Sequence, residues 1–181
     1  RYNVSHNDGV KNNRRSGIDV FSASENASDC LVYNNTVYND HGSAVGFGGL
    51  PMPNVVFRNN IFICSGDVIA GENGRGRFEN NLYWSANERP LRFGGYASLG
   101  EWAQETDQKY PGLYADPRLT KLETPLPSDP ERLASMTAYR VLAASPCLRA
   151  GVGIDNSGGR DFWGNPVPQD DQCTIGACEK P

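Results

Sequence analysis

Apolar residues in the first half of the chain fall in short clusters that repeat. Four segments superimpose: Arg1-Tyr2-Asn3-Val4-Ser5-His6-Asn7-Asp8, Leu31 to Asp40 (LVYNNTVYND), Val55 to Cys64 (VVFRNNIFIC) and Arg77 to Ser85 (RFENNLYWS). Anchored on Asn3, Asn35, Asn60 and Asn81, they are spaced by 32, 25 and 21 residues. Val32, Phe57 and Phe78 stand three residues before the anchor; Val37, Phe62 and Tyr83 stand two after it. Apolar positions flanking an inward Asn predict two short strands meeting at a bend, with the anchor Asn adopting the left-handed backbone that a sharp bend needs. Stacked coil on coil, each amide bonds the Asn above and below, which satisfies a buried polar group. A third strand is expected between successive Asn segments: Gly17 to Phe21, Ser43 to Phe47, Asp67 to Ala70 and a shorter Leu91 to Phe93. Its register stays open, because Ile18 and Val20 align with either Ala44 and Gly46 or Val45 and Phe47.

A repeat of this length with three strands per turn is the pattern of a solenoid, in which stacking supplies the core that one coil cannot form alone. A β-sandwich would place Gly after Asn in its hairpin turns. The Asn pairs here are followed by Thr36, Ile61 and Leu82 instead. The expected fold is all-β, a three-sided parallel β-helix over residues 1–95. A loop-rich segment over 96–181 is expected to pack on the solenoid and cap it, since an open end exposes apolar surface and strand edges. In that segment Ser98 as N-cap and Glu101 three residues on predict a short helix from Leu99 to Thr106. Trp102, Leu142 and Trp163 are read as packing anchors.

The repeat, with the tail motifs Ser98-Leu99-Gly100-Glu101-Trp102 and Tyr114-Ala115-Asp116-Pro117-Arg118-Leu119, resembles the right-handed parallel β-helix repeat family of the pectate-lyase-like superfamily. Ser145-Pro146-Cys147-Leu148-Arg149-Ala150-Gly151, Asp161-Phe162-Trp163-Gly164-Asn165-Pro166 and Ile175-Gly176-Ala177-Cys178-Glu179 are similar to that family's closing signature. The resemblance implies a right-handed solenoid that handles polysaccharides. It does not specify the reaction, because the architecture hosts lyases, hydrolases and binders.

Composition narrows the partners. The net charge of -4 gives no overall footprint for nucleic acid. No apolar run approaches the length of a membrane span. The chain opens inside a strand-like pattern without a signal peptide, so an upstream part of the same protein is expected as a partner. Cys30 and Cys64 fall in repeat columns and are read as core residues. Cys147, Cys173 and Cys178 lie in the tail, where a disulfide from Cys147 to Cys173 or Cys178 would fit a secreted protein. Of three glycosylation sequons, only Asn26 lies in a loop-like stretch suited to a glycan.

By the resemblance, catalysis belongs on the strand after the long loop and on the loops beside it. That strand is Gly17 to Phe21, and the loop before it carries Lys11, Arg14 and Arg15. The matching turn one coil on is Asn39-Asp40-His41-Gly42. Lys11, Arg14, Arg15, Asp19, Asp40 and His41 are therefore the candidate catalytic residues. In β-elimination from a uronate, the cations neutralise the carboxylate and a Lys, Arg or His takes the α-proton. In glycoside hydrolysis, Asp19 and Asp40 supply the two carboxylates. A non-catalytic carbohydrate-binding solenoid or adhesin is the alternative. No cofactor is required; Ca2+ is compatible with aspartates near a rim, although no dense oxygen-ligand motif is present.

Overall fold

The structure is a computed structural model that describes residues 1–8, 16–24, 28–71, 76–121, 129–168 and 172–180. In chain order its strands are β1 (Val4–His6), β2 (Ile18–Ser22), β3 (Leu31–Tyr33), β4 (Thr36–Asn39), β5 (Val45–Gly49), β6 (Val56–Arg58), β7 (Ile61–Cys64), β8 (Ile69–Ala70), β9 (Arg77–Glu79), β10 (Asn81–Ser85) and β11 (Gly112–Tyr114). They form three parallel sheets, ordered β1-β4-β7-β10-β11, β2-β5-β8 and β3-β6-β9. Successive strands of one sheet come from successive coils, which is a three-sided parallel β-helix. The segment Leu91 to Phe93 contributes a single parallel bridge, Asp67 to Arg92, rather than a full strand.

Each coil bends sharply between the third and first sheets. The left-handed residue there is the one before the anchor: Tyr2, Asn34, Asn59 and Asn80 have φ of 49°, 49°, 53° and 54°. The expectation that the anchor itself turns left-handed is thereby corrected. The anchor is the inward residue, and its amide builds the ladder. Asn3 Nδ2 donates to Asn35 Oδ1 at 3.2 Å, Asn35 Nδ2 to Asn60 Oδ1 at 2.9 Å, and Asn60 Nδ2 to Asn81 Oδ1 at 3.0 Å. Each Oδ1 also accepts the backbone N–H of the anchor one coil back, at 2.8–3.0 Å. The buried amides are thus satisfied without water.

The apolar columns fill the interior. Val37, Phe57, Phe62, Phe78 and Tyr83 are all fully buried, each worth roughly 1.5–3 kcal/mol for an ordinary buried side chain. The rings of Phe57 and Phe78 stack at 4.7 Å between centroids. In the second sheet Ile18 pairs with Val45 and Val20 with Phe47. Val20 and Ser22 point inward, leaving Asp19 and Phe21 on the outer face.

The tail does two things. Helix α1 (Leu99–Glu105) closes the last coil: Trp102 is buried against Phe78 and Phe93, with centroids 5.3 Å and 5.8 Å away. Ser98 Oγ accepts Glu101 N–H at 3.1 Å, and Glu101 Oε2 accepts Ala97 N–H at 2.9 Å. The chain then runs back along the outer face of the first sheet. Ile61, Ile63 and Leu82 of that face are buried under Val141, Cys147, Ile175 and Cys178. Side chains of the left-handed asparagines hold this return. Asn34 donates to Thr174 O at 2.8 Å, Asn59 to Val152 O at 2.7 Å, and Asn80 to Ala150 O at 2.7 Å. The return ends at Glu179, whose Oε1 accepts the Tyr2 hydroxyl of the first coil at 3.2 Å. Trp163 packs in this layer and donates to Met136 O at 2.7 Å. Leu142 is 45% exposed and lies outside the buried clusters of the tail, a correction to its expected role.

The expected disulfide from Cys147 to Cys173 or Cys178 is not formed, and no disulfide joins any of the five cysteines. The tail thiols are engaged elsewhere. Cys173 Sγ donates to Val152 O at 3.3 Å and Cys178 Sγ to Lys180 O at 2.6 Å, while Cys147 is buried in the apolar layer. Burial pushes the Cys147 thiol up to about 11 and the Cys64 thiol up to about 12, so both stay protonated. Among the described residues, no helix is long and apolar enough to cross a membrane.

Candidate functional site

Lys11, Arg14 and Arg15, like the sequon residue Asn26, lie outside the described residues. Asp19 sits on the outer face of β2, exposed, opposite Gly46 of the next coil. The glycine is what makes room for it. A Cβ on Gly46 would stand 2.4 Å from Asp19 Oδ1 and 2.5 Å from Ser16 Oγ. The next outward position repeats the arrangement: Phe21 pairs with Gly48, whose Cβ would stand 3.3 Å from the Phe21 ring. Phe21 is 65% exposed. Asp19, Val20, Phe21, Phe47 and Gly48 together line an open groove of about 300 Å3. Ala70 continues the small outer row beyond Gly46. A carboxylate and an aromatic ring thus lie side by side along a face with little side-chain relief.

Asp40 and His41 occupy the turn between β4 and β5, at the rim of this face. Gly17 N–H donates to Ser43 O at 3.1 Å, so that turn abuts the start of β2. The turn is held by asparagines of the repeat column: Asp40 N–H donates to Asn7 Oδ1 at 3.0 Å and His41 N–H to Asn39 Oδ1 at 3.2 Å. Asp40 Oδ1 lies 2.5 Å from His41 Nδ1, and the His41 side chain is 52% exposed. The contact lacks hydrogen-bond geometry: Asp40 Oδ1 is buried with no hydrogen-bond partner. The other carboxylate oxygen accepts the Tyr38 hydroxyl at 3.3 Å. Asp40 and His41 are therefore brought together. No hydrogen bond or ion pair joins Asp19 to either among the described residues.

Behind Asp40 the geometry adds a group that the sequence did not single out. His6 pairs with Tyr38 in the register of the first sheet and stacks on it, centroids 5.3 Å apart and planes 8° from parallel. Its Nδ1 bonds the Tyr139 hydroxyl, contributed by the returning tail. Burial, and secondarily the Asp40 carboxylate, holds the Tyr38 hydroxyl above the usual tyrosine range; burial does the same to Tyr139. Both phenols are donors at neutral pH. The repeat column already placed His6 beside Tyr38. Tyr139 lies 133 residues away, in a region without periodicity, and no local signal pointed to it.

No group of three or more His, Cys, Asp and Glu side chains is arranged to hold a metal ion among the described residues. Comparison with family models and with curated proteins finds no match for this chain.

Proposed function

We propose that this chain belongs to a carbohydrate-active β-helix protein of the extracellular space, and that the outer face of its second sheet holds a glycan chain. The observation that carries the reading is Phe21, 65% exposed beside Asp19 on a face that Gly46 and Gly48 keep open. An exposed aromatic ring stacks on the C–H face of a sugar, and a neighbouring carboxylate accepts hydroxyl protons. The test is migration of the chain through gels with embedded polysaccharides, uronans and neutral glycans both. Wild type is retarded by at least one, and Phe21→Ala abolishes the retardation while the thermal melt is unchanged. Equal retardation of the two proteins overturns the reading.

The Asp40–His41 pair at the rim supports a second, catalytic reading. With a uronate in the groove, His41 Nε2 takes the α-proton, and the electron pair expels the glycosidic oxygen at the β-carbon to leave an unsaturated uronide. Lys11, Arg14 and Arg15, on the loop before β2, would neutralise the carboxylate and so stabilise the developing enolate. Hydrolysis would instead use Asp19 and Asp40 as acid and base across the bond. Ultraviolet absorbance from the unsaturated product separates elimination from hydrolysis, which yields reducing ends alone. His41→Ala removes the absorbance if His41 is the base, and an unaltered rate overturns that role.

A further inference from the structure

The outer face of the third sheet carries a second polar groove that the glycan reading does not use. In register, Leu31, Val56 and Arg77 form one outward row, and Tyr33, Arg58 and Glu79 the next. A hollow of about 370 Å3 lies over Asp29, Leu31, Asn54 and Arg58, and another of about 330 Å3 over Glu79, Asp107, Lys109 and Tyr110. Arg77 lines both.

Tyr110 dominates the second hollow. Its ring is 74% exposed, although the residue is anchored by its own backbone, whose carbonyl accepts Asn80 N–H at 2.6 Å. The segment beneath it is fixed as well: Gln108 Oε1 accepts Phe78 N–H at 2.8 Å and its Nε2 donates to Gly76 O at 3.2 Å. The backbone that displays the ring is thereby fixed in place. Two cations, Arg77 and Lys109, and two carboxylates, Glu79 and Asp107, line the hollow, and Arg58 beside it bonds Glu79 Oε2 at 2.8 Å and 2.5 Å. Arg77 Nε is 3.4 Å from Glu79 Oε1 with its side chain 69% exposed, so most of that guanidinium meets solvent. A lining that sets donors beside acceptors, with both charge signs present, suits an uncharged polyhydroxyl ligand that uses both.

We infer that this hollow is a second glycan-contact site, taking a neutral pyranose unit stacked on Tyr110 and hydrogen-bonded by Arg77, Glu79, Asp107 and Lys109. It shares with the proposed function only the class of ligand, and stands on different residues. The experiment is amide chemical-shift mapping of the whole chain with neutral hexasaccharides (cello-, xylo- and mannohexaose) and, separately, hexagalacturonate. Shifts at 77–79 and 107–110 with a neutral hexasaccharide are expected, and Tyr110→Ala weakens that binding by roughly tenfold. Tyr110→Ala keeps the backbone bond to Asn80 and therefore folds, which the unshifted remainder of its spectrum verifies. Neutral-sugar shifts confined to 19–22 and 46–48 overturn this site and leave the first face intact. Neutral-sugar shifts confined to 77–79 and 107–110 support it and leave the first face to its own test with uronans. Silence with every neutral sugar, or a response to hexagalacturonate alone, overturns it.

Discussion

Two adjacent asparagines divide the labour of each bend, and their separate roles predict different consequences. Asn60 is the middle rung of the ladder and fully buried. Its Oδ1 accepts from both Asn35 N–H and Asn35 Nδ2, and its own Nδ2 donates to Val32 O and Asn81 Oδ1. Asn60→Ala leaves several of these partners buried and unpaired, at about 1–3 kcal/mol each. A loss on the order of 4 kcal/mol is expected in denaturant unfolding. Asn59→Ala leaves the anchor ladder standing but breaks a second one, in which Asn59 Nδ2 donates to Asn34 Oδ1 at 3.4 Å and Asn59 Oδ1 accepts Asn80 Nδ2 at 3.1 Å; it also removes the bonds to Val152 and the amide that suits φ of 53°. It is expected to cost a similar amount and, unlike Asn60→Ala, to loosen the tail selectively, read as faster hydrogen exchange around Val152. Equal exchange at Val152 in the two variants would mean that the outer amides do not hold the tail. Gly176→Ala probes the same layer from the other side. The residue has φ of 97°, and a Cβ there would stand 2.4 Å from Ile61 Cδ1. The variant is expected to lose at least 2 kcal/mol, roughly, because backbone strain and overpacking coincide. A change under about 0.5 kcal/mol contradicts the packing described.

At the scale of elements, the returning tail acts as the outer layer of the first sheet. Ile61, Ile63 and Leu82 face outward on β7 and β10, yet all three are buried, because the tail covers them. A chain ending at residue 135 would uncover this row and the strand surface around it. Such a truncation is expected to associate or precipitate and to bind a hydrophobic dye, measured by gel filtration and fluorescence. A monodisperse truncated chain would show that the tail is dispensable. The closing motifs owe their form to this docking. Ser145 Oγ donates to Pro117 O at 2.5 Å and accepts Cys147 N–H at 3.1 Å. Gly151 lies where a Cβ would stand 2.6 Å from Cys173 Sγ. Asp161 accepts the backbone N–H groups of Trp163, Asn165 and Glu179 at 2.8–2.9 Å. The coils were legible in the sequence because each buried column recurs once per turn, so Asn35, Asn60 and Asn81 announce one another. The tail pairs residues up to 177 positions apart with no period, as in Asn59 with Val152 and Tyr2 with Glu179, and its course had to be seen. The candidate site divides the same way. Asp40 and His41 are neighbours in sequence and meet, whereas the partner of His6 comes from the aperiodic tail.

For the molecule as a whole, Glu179 decides how pH acts on the closure of the fold. It lies next to the last described residue, and its contact with Tyr2 joins the end of the tail to the first coil. Its carboxyl is buried. Burial raises its pKa above the ordinary glutamate range, and the nearby Asp161 carboxylate adds to this; the bonds from Thr174 N–H and the Tyr2 hydroxyl oppose it only in part. A carboxyl with a raised folded-state pKa binds its proton more tightly in the folded chain. Its stabilising contribution is complete below the unfolded value and is lost as pH rises through the folded one. At neutral pH the chain therefore holds a carboxylate it has partly desolvated. In Glu179→Gln the amide oxygen accepts Thr174 N–H and the amide nitrogen donates to the Tyr2 oxygen, so the clasp survives without the charge. The variant is expected to melt higher than wild type near pH 7, and to approach it as pH falls to about 4. Thermal melts across that range check the sign. A variant that melts lower near pH 7 and approaches wild type as pH falls would mean that the charge itself holds the two ends together, and that its bonds to Tyr2 and Thr174 outweigh the cost of burying it.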